Sequence, residues 1–299
     1  MFAAILTTLL WSISVVCAHR SAKIVGGSEA NFWRLSVAVI FLAVWAYGFG
    51  GGLEGVSFPM FFLSGVIGIG LGDVALFQAL PRLGSRVSIL LIQCLSAPFA
   101  ALIEWLWLGT KLTVAQMLFG GIVLGGVSLA LTPSKHLNLG RKQIIVGTCF
   151  GVFAALGNSF GAVLTRKGYA VAALANQNID GATAAFQRIV GGLLVAGIWL
   201  LIVKQQTRKV PPVFSLKEKW RRAGPWIFAN GFAGQTLGMS CYLLALKHAP
   251  TGMVLPIIAT TPLVVIPLAH FLEAETPTLK SLIGGVIAVI GVIGLVLSK

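Results

Sequence analysis

Ionisable and strongly polar side chains set inside long apolar runs are the first places to look for chemistry, because hydrocarbon tolerates them only beside a partner or a watery cavity. The sharpest is Asp73, within Gly70-Leu71-Gly72-Asp73. A carboxyl group there can couple a proton to a substrate or touch the substrate itself; the alternative is a structural ion pair or hydrogen bond to a neighbouring helix. Arg34 and Arg188 stand just inside two other apolar runs. They read either as an anion-binding or gating pair, or as interface anchors whose long side chains snorkel to the headgroups. Gln78, Gln93, Asn158 and Gln235 could orient a solute by hydrogen bonds or tie helix to helix. Trp11 offers an aromatic cavity wall or a packing surface. Pro98 and Pro262 each remove a helix hydrogen bond, freeing the carbonyls of Cys94 and Ile258. With Pro256 and Pro267, they make flexing points or static kinks.

Other candidates sit nearer the ends of runs. Glu104 precedes Trp105 and Trp107, an aromatic-belt pattern that places it at a membrane surface. His270, Glu273 and Glu275 close another run, as interfacial groups or as a gate or proton relay. His19, His136 and His248 also lie at run ends or in loops. Without a histidine cluster, paired acids or a nucleophile–base pair at matching depth, an intramembrane enzyme is disfavoured. Cys17, Cys94, Cys149 and Cys241 lie in apolar runs without metal-ligand spacing and read as small buried hydrophobes. The Gly68, Gly70, Gly72 pattern lies inside a run, so it is not a dinucleotide loop, and no Walker motif occurs. No cofactor or metal is expected.

The elements that must position these groups follow from composition. Of 299 residues, 57% are hydrophobic and only 10% charged, and the mean hydropathy is +0.92. Soluble domains carry about 25% charged residues; lipid, rather than water, can solvate this chain. A helix needs about 20 apolar residues to cross the hydrocarbon core. Ten such spans are expected, at 2–19, 32–50, 58–80, 86–108, 112–132, 143–165, 182–203, 224–247, 251–272 and 279–298. No basic residue precedes the first, which reads as a retained helix rather than a signal peptide. The longest connection, Lys204 to Arg222, forms either a short interfacial helix around Val213, Phe214, Leu216 and Trp220, broken by Pro211-Pro212, or a solvated loop. Glycines four apart (Gly68/Gly72, Gly121/Gly125, Gly147/Gly151, Gly157/Gly161, Gly234/Gly238) invite close helix approach.

The chain also repeats itself. At an offset of 166, Gly65, Gly68, Gly72 and Ala79-Leu80 fall on Gly231, Gly234, Gly238 and Ala245-Leu246. At 164, Pro98 falls on Pro262 and Gly120-Gly121 on Gly284-Gly285. Phe32-x-Arg34 matches Phe186-x-Arg188. The repeats occupy 1–134 and 143–299, five spans in each. An odd count turns the second half upside down relative to the first, the inverted-repeat architecture of many secondary transporters.

In this order, the features resemble the drug/metabolite transporter superfamily, EamA type: Leu10-Trp11-Ser12, Phe32-Trp33-Arg34, the Ala79-Leu80 and Ala245-Leu246 helix ends, the proline-bearing fourth and ninth spans, and the Gly120 and Gly284 stretches. The resemblance implies an all-α protein of ten helices around a central cavity. It implies transport of small metabolites or amphipathic compounds, often outward, and commonly proton- or exchange-driven. One departure stands out: Gly109-Thr110-Lys111 replaces the glycine–acid pair usual at the end of the fourth span, while Glu275 fills the second-half position.

The fold class is therefore all-α integral membrane, and the function a multi-pass secondary transporter in the cell (inner) membrane. The partners are a small-molecule substrate, the lipid bilayer and protons as coupling ion, with a monomer or homodimer as the assembly. A non-transporting structural or regulatory membrane protein is the alternative. The net charge of +14 does not indicate nucleic acid, because Lys and Arg fall almost entirely in the short gaps between spans. Loops after odd-numbered spans hold 15 of them against 5 in the others, with Arg34 and Arg188 left out. That bias places both termini outside the cytoplasm, whereas the resemblance implies both inside.

Overall fold

The computed structural model describes residues 1–83, 85–131, 140–207, 216–265 and 279–298. Those residues are helical with short connections, the outcome expected where lipid leaves backbone groups no other partner. The order is α1 (Phe2–Val25), α2 (Gly27–Phe49), α3 (Phe58–Gly65), a π-helical segment (Val66–Leu71), α4 (Gly72–Leu83), α5 (Ser85–Leu108), α6 (Val114–Leu131), α7 (Arg141–Leu174), α8 (Gly181–Thr207), α9 (Leu216–Ala229), a second π-helical segment (Asn230–Gly238), α10 (Met239–His248), α11 (Thr251–Ile258) and α12 (Leu279–Leu297). Among the described residues, seven helices are long and apolar enough to cross a membrane, and Thr251–Val265 and Leu282–Leu297 are shorter apolar helices. His136, Pro211, Pro212, Val213, Phe214, Pro267, His270, Glu273 and Glu275 lie outside the described residues.

Several elements differ from the sequence expectation. The sixth span runs on to Leu174, nine residues past its expected end at 165, and carries Arg166 inside the helix. The basic stretch Lys217–Arg222 belongs to the first turns of α9, continuous with the eighth span, rather than to a separate surface helix or loop. Its anchors explain this: Trp220 packs edge-on against Trp33 at 4.8 Å, and Lys219 Nζ pairs with Glu29 at 2.8 Å. The third and eighth spans are not uniform α-helices, since each widens into a π segment at repeat-matched positions.

Packing is reciprocal between the halves. α2 packs on α8, and α6 on α12. α1 lies against α9, the second π segment, α10 and α11; α7 lies against α3, the first π segment, α4 and α5. Small residues permit the closest approaches. A Cβ on Gly126 would sit 2.5 Å from Ala288 N, and one on Gly284 2.5 Å from Ala130 N, so the α6–α12 seam tolerates no larger side chain there. Gly121 and Gly125 face open space instead, so the expected approach at that pair falls to Gly126, one residue on. Gly65 is pressed against the Arg188 carbonyl, and Gly231 against the Arg34 carbonyl, where a Cβ would lie at 2.8 Å. Each half thus seats its span-opening arginine against a glycine of the other.

The ninth span breaks after Ile258, before Pro262. Thr261 Oγ1 donates to the Ile258 carbonyl at 2.6 Å, the acceptor that the proline leaves free. From α1, Thr8 Oγ1 donates to Ile257 O at 3.3 Å and Ser12 Oγ to Thr261 O at 3.2 Å. In the other half, Ser159 Oγ of α7 donates to Ser96 O at 2.9 Å, two residues before Pro98.

Candidate substrate cavity and a buried clasp

Between the halves lies a cavity of about 260 Å3. Its walls bring together Trp11, Arg34, Asp73, Gln93, Asn158, Arg188 and Gln235. Gln78 is not among them; its Oε1 accepts from Arg82 Nη1 at 2.9 Å. Ser14, Tyr242 and Thr261 add polar groups, and Leu76, Ile92, Met239, Leu255 and Ile258 supply apolar surface.

The π segments help shape this space. π turns recur at functional sites because the wider turn reorients side chains and frees carbonyls. Ile69 comes from the first segment and Gln235 from the second, with Gly72, Asp73 and Met239 directly after them. Trp11 Nε1 donates to Gly234 O at 3.1 Å, and its ring lies 5.3 Å from that of Tyr242. Ser14 Oγ donates to Asn230 Oδ1 at 2.6 Å. Asn158 Nδ2 donates to Ser96 Oγ at 3.3 Å. Gln235 Oε1 is buried with no partner among the described residues.

The charged groups are unevenly disposed. Arg34 Nη2 pairs with Asp73 Oδ2 at 3.1 Å, and both side chains stay about one-fifth exposed, at 19% and 22%. Arg34 Nε also donates to Asn31 Oδ1 at 2.7 Å, which fixes the guanidinium plane. Arg188 is 1% exposed. It reaches no interface, contrary to the snorkelling alternative. Its Nη1 donates to Thr165 Oγ1 at 3.1 Å, and its guanidinium carbon lies 5.5 Å from the centre of the Tyr242 ring.

Farther along the bundle is a second ionic cluster. Glu104 is 2% exposed: its carboxyl turns into the protein, while the neighbouring Trp105 and Trp107 face outward. Its Oε1 pairs with Arg166 Nε at 2.6 Å. Its Oε2 accepts from Thr251 N at 2.7 Å and from the Thr251 hydroxyl. Arg166 Nη1 donates to Leu246 O at 2.7 Å and Ala249 O at 2.8 Å. The cluster clasps α5, α7 and the α10–α11 corner. Nearby, Asp180 caps α8: its Oδ1 accepts from the N–H groups of Ala182 at 2.8 Å and Thr183 at 3.0 Å. Partial burial pushes the Asp180 carboxyl up, but bonds from Thr183, Ala182 and Trp45 outweigh it and hold the group below the ordinary carboxylate range.

Pro98 lies elsewhere, in the wall of a larger groove of about 640 Å3 between α5, α6 and α11, with Leu102, Gly120 and Pro256. Pro262 lies just past the α11 break and in neither wall. Sequence reasoning missed Tyr242, Ser14 and Thr261, and missed the pairing of Glu104 with Arg166. Tyr242 had a signal, being one of only three tyrosines and lying inside an apolar run. The Glu104–Arg166 pair had none, because its members lie in different halves of the chain.

Apolar helices of membrane-spanning length around a small polar cavity define a multi-pass membrane protein. The EamA-like transporter family model matches residues 1–132 and again 145–297. The chain belongs to that family, within the drug/metabolite transporter superfamily. A solved crystal structure superposes with a TM-score of 0.79 over 100% of this chain and 98% of the other at 15% identity, a likeness of fold alone. No curated protein matches.

Proposed function

We propose that the chain is a secondary transporter that moves a small organic metabolite across the cell membrane through the central cavity, by export or exchange. The observation that carries this reading is one polar cavity enclosed by elements of both halves and bordered by two repeat-matched π segments. Reciprocal packing of α1 and α7 supports two inverted halves of five helices that rock about a shared site. The cavity's size suits a small solute, lying just below the range of about 300–1,000 Å3 usual for drug-sized ligands.

Asp73 and Arg34 form the coupling pair in this reading. Protonation of the Asp73 carboxyl cancels its charge and weakens its hold on the Arg34 guanidinium, which changes the cavity's field between loading and release. The Glu104–Arg166–Thr251 clasp closes the pathway at one end and must part when access alternates.

The test is flux in proteoliposomes loaded with a panel of labelled small metabolites, with and without an imposed pH gradient. At least one compound should move only when the protein is present. Asp73→Asn should keep exchange while uncoupling it from the gradient. A broad panel with no protein-dependent flux sinks the transport reading; full coupling in Asp73→Asn removes Asp73 alone.

A further inference from the structure

Arg188 is a buried guanidinium in the cavity wall, and among the described residues it has no counter-ion. Among the described residues no carboxylate lies within ion-pair distance of it, and its Nε has no hydrogen-bond partner. The guanidinium of arginine does not deprotonate in proteins, so the imbalance cannot relax by losing a proton. The charged groups lining the cavity are Arg34, Asp73 and Arg188. Their sum is one positive charge with Asp73 ionised and two with it protonated. The groups around Asp73 do not correct this: α5 brings Gln93 and Ile92, α7 brings Asn158 and Ala154, α2 brings Asn31 beside Arg34, and Tyr242, farther along the cavity wall, is a phenol beside Arg188. The single carboxylate is already held by Arg34.

The space around Arg188 is built for it. A Cβ on Gly68 would lie 2.8 Å from Arg188 Nη2, and one on Gly161 3.1 Å away. Two bare backbones from opposite halves therefore form a cradle that any larger residue would fill. Burying a cation without a counter-ion is unfavourable, and an oxyanion bound in the cavity would supply both the missing charge and an acceptor for Nε.

We propose that the solute taken by the central cavity is a small organic anion, and that Arg188 receives its negative group. This rests on the reading of the cavity as the transport site. Trp11, Leu76 and Ile92 face the remainder of the solute. Coupling then has a defined sense: a proton on Asp73 frees Arg34 and raises the positive charge, so proton and anion each strengthen the other's binding.

The test compares benzenesulfonate, whose charge does not change between pH 5 and 8, with neutral benzenesulfonamide, by calorimetric titration of the detergent-purified full chain. The sulfonate should bind at least roughly 30-fold tighter, the scale lost when one member of a buried charged pair is removed. Arg188→Gln should erase that preference and Arg188→Lys should keep part of it, which separates lost charge from lost fold. Asp73→Asn, a fixed stand-in for the protonated acid, should tighten sulfonate binding several-fold. Equal binding of the two compounds, no binding of the sulfonate, or weakened binding in Asp73→Asn overturns the proposal. Sulfonate binding without flux of any anion would sink the transport reading and leave this inference standing. Flux confined to neutral or cationic solutes would do the reverse.

Discussion

The central cavity and the Glu104–Arg166 clasp solve the same problem in opposite ways. Both place arginine among apolar helices. In the clasp, one carboxylate meets one guanidinium, and the surrounding donors and acceptors are filled by Thr251 and by the carbonyls of Leu246 and Ala249. In the cavity, two guanidinium groups share one carboxylate, and the fully buried one is left over. A balanced cluster can hold helices together; an unbalanced one remains available to a solute. The repeat sharpens the contrast, since Arg34 and Arg188 occupy matched positions and, among the described residues, only Arg34 has an acid beside it. Met239 stands at the position 166 residues after Asp73.

The largest expected effect tests the balanced side. Glu104→Gln strands the Arg166 guanidinium and should cost about 3–5 kcal/mol of stability, the scale for breaking a buried pair. It should appear as a clear drop in the midpoint of thermal unfolding in detergent. Arg188→Met, equally buried, should cost much less or even stabilise, because it deletes a cation with no counter-ion. Equal losses in the two variants would erase the distinction between the regions.

Next comes the cradle. Gly68→Ala places a methyl 2.8 Å from Arg188 Nη2 and 3.2 Å from Gly161 Cα, so the guanidinium must shift and solute binding should weaken by about tenfold, the equivalent of ~1.4 kcal/mol. Unchanged binding would mean that the guanidinium position does not matter.

The smallest effect lies outside the spans. Asp180→Ala removes the α8 cap and should cost about 1 kcal/mol near neutral pH. Because folding holds the Asp180 carboxyl below its ordinary range, its contribution is fully present above the unfolded carboxylate pKa of about 3.9 and is lost as pH falls through the lower folded value. The difference in stability between the native chain and Asp180→Ala should therefore shrink below about pH 4. A difference that grows in acid would contradict the capping geometry.

Much of the scaffold was legible in the sequence because hydrophobic span length is a local property, written in runs of about 20 residues. The expected spans at 2–19, 32–50 and 112–132 correspond to α1, α2 and α6 with shifted ends. Where the reading fell short, the cause was a contact distant in sequence. α7 outran its expected end because Arg166 finds Glu104 and two carbonyls that hydropathy cannot see. α9 began early because Trp220 and Lys219 meet Trp33 and Glu29 across the bundle. The π segments were hidden for the same reason, as glycine content permits a widened turn without requiring one.

By itself, then, the sequence determined the solvent, the helical class and the placing of Asp73, Arg34 and Arg188 within apolar runs, because each depends on residue type and neighbours along the chain. Tertiary structure decided which of those groups meet. Asp73 reaches Arg34, Arg188 reaches Thr165 and Tyr242, and Gln78 turns to Arg82 on its own helix. The physical reason is that charge pairing acts over a few ångströms in space, and only the packing of one half against the other sets those distances.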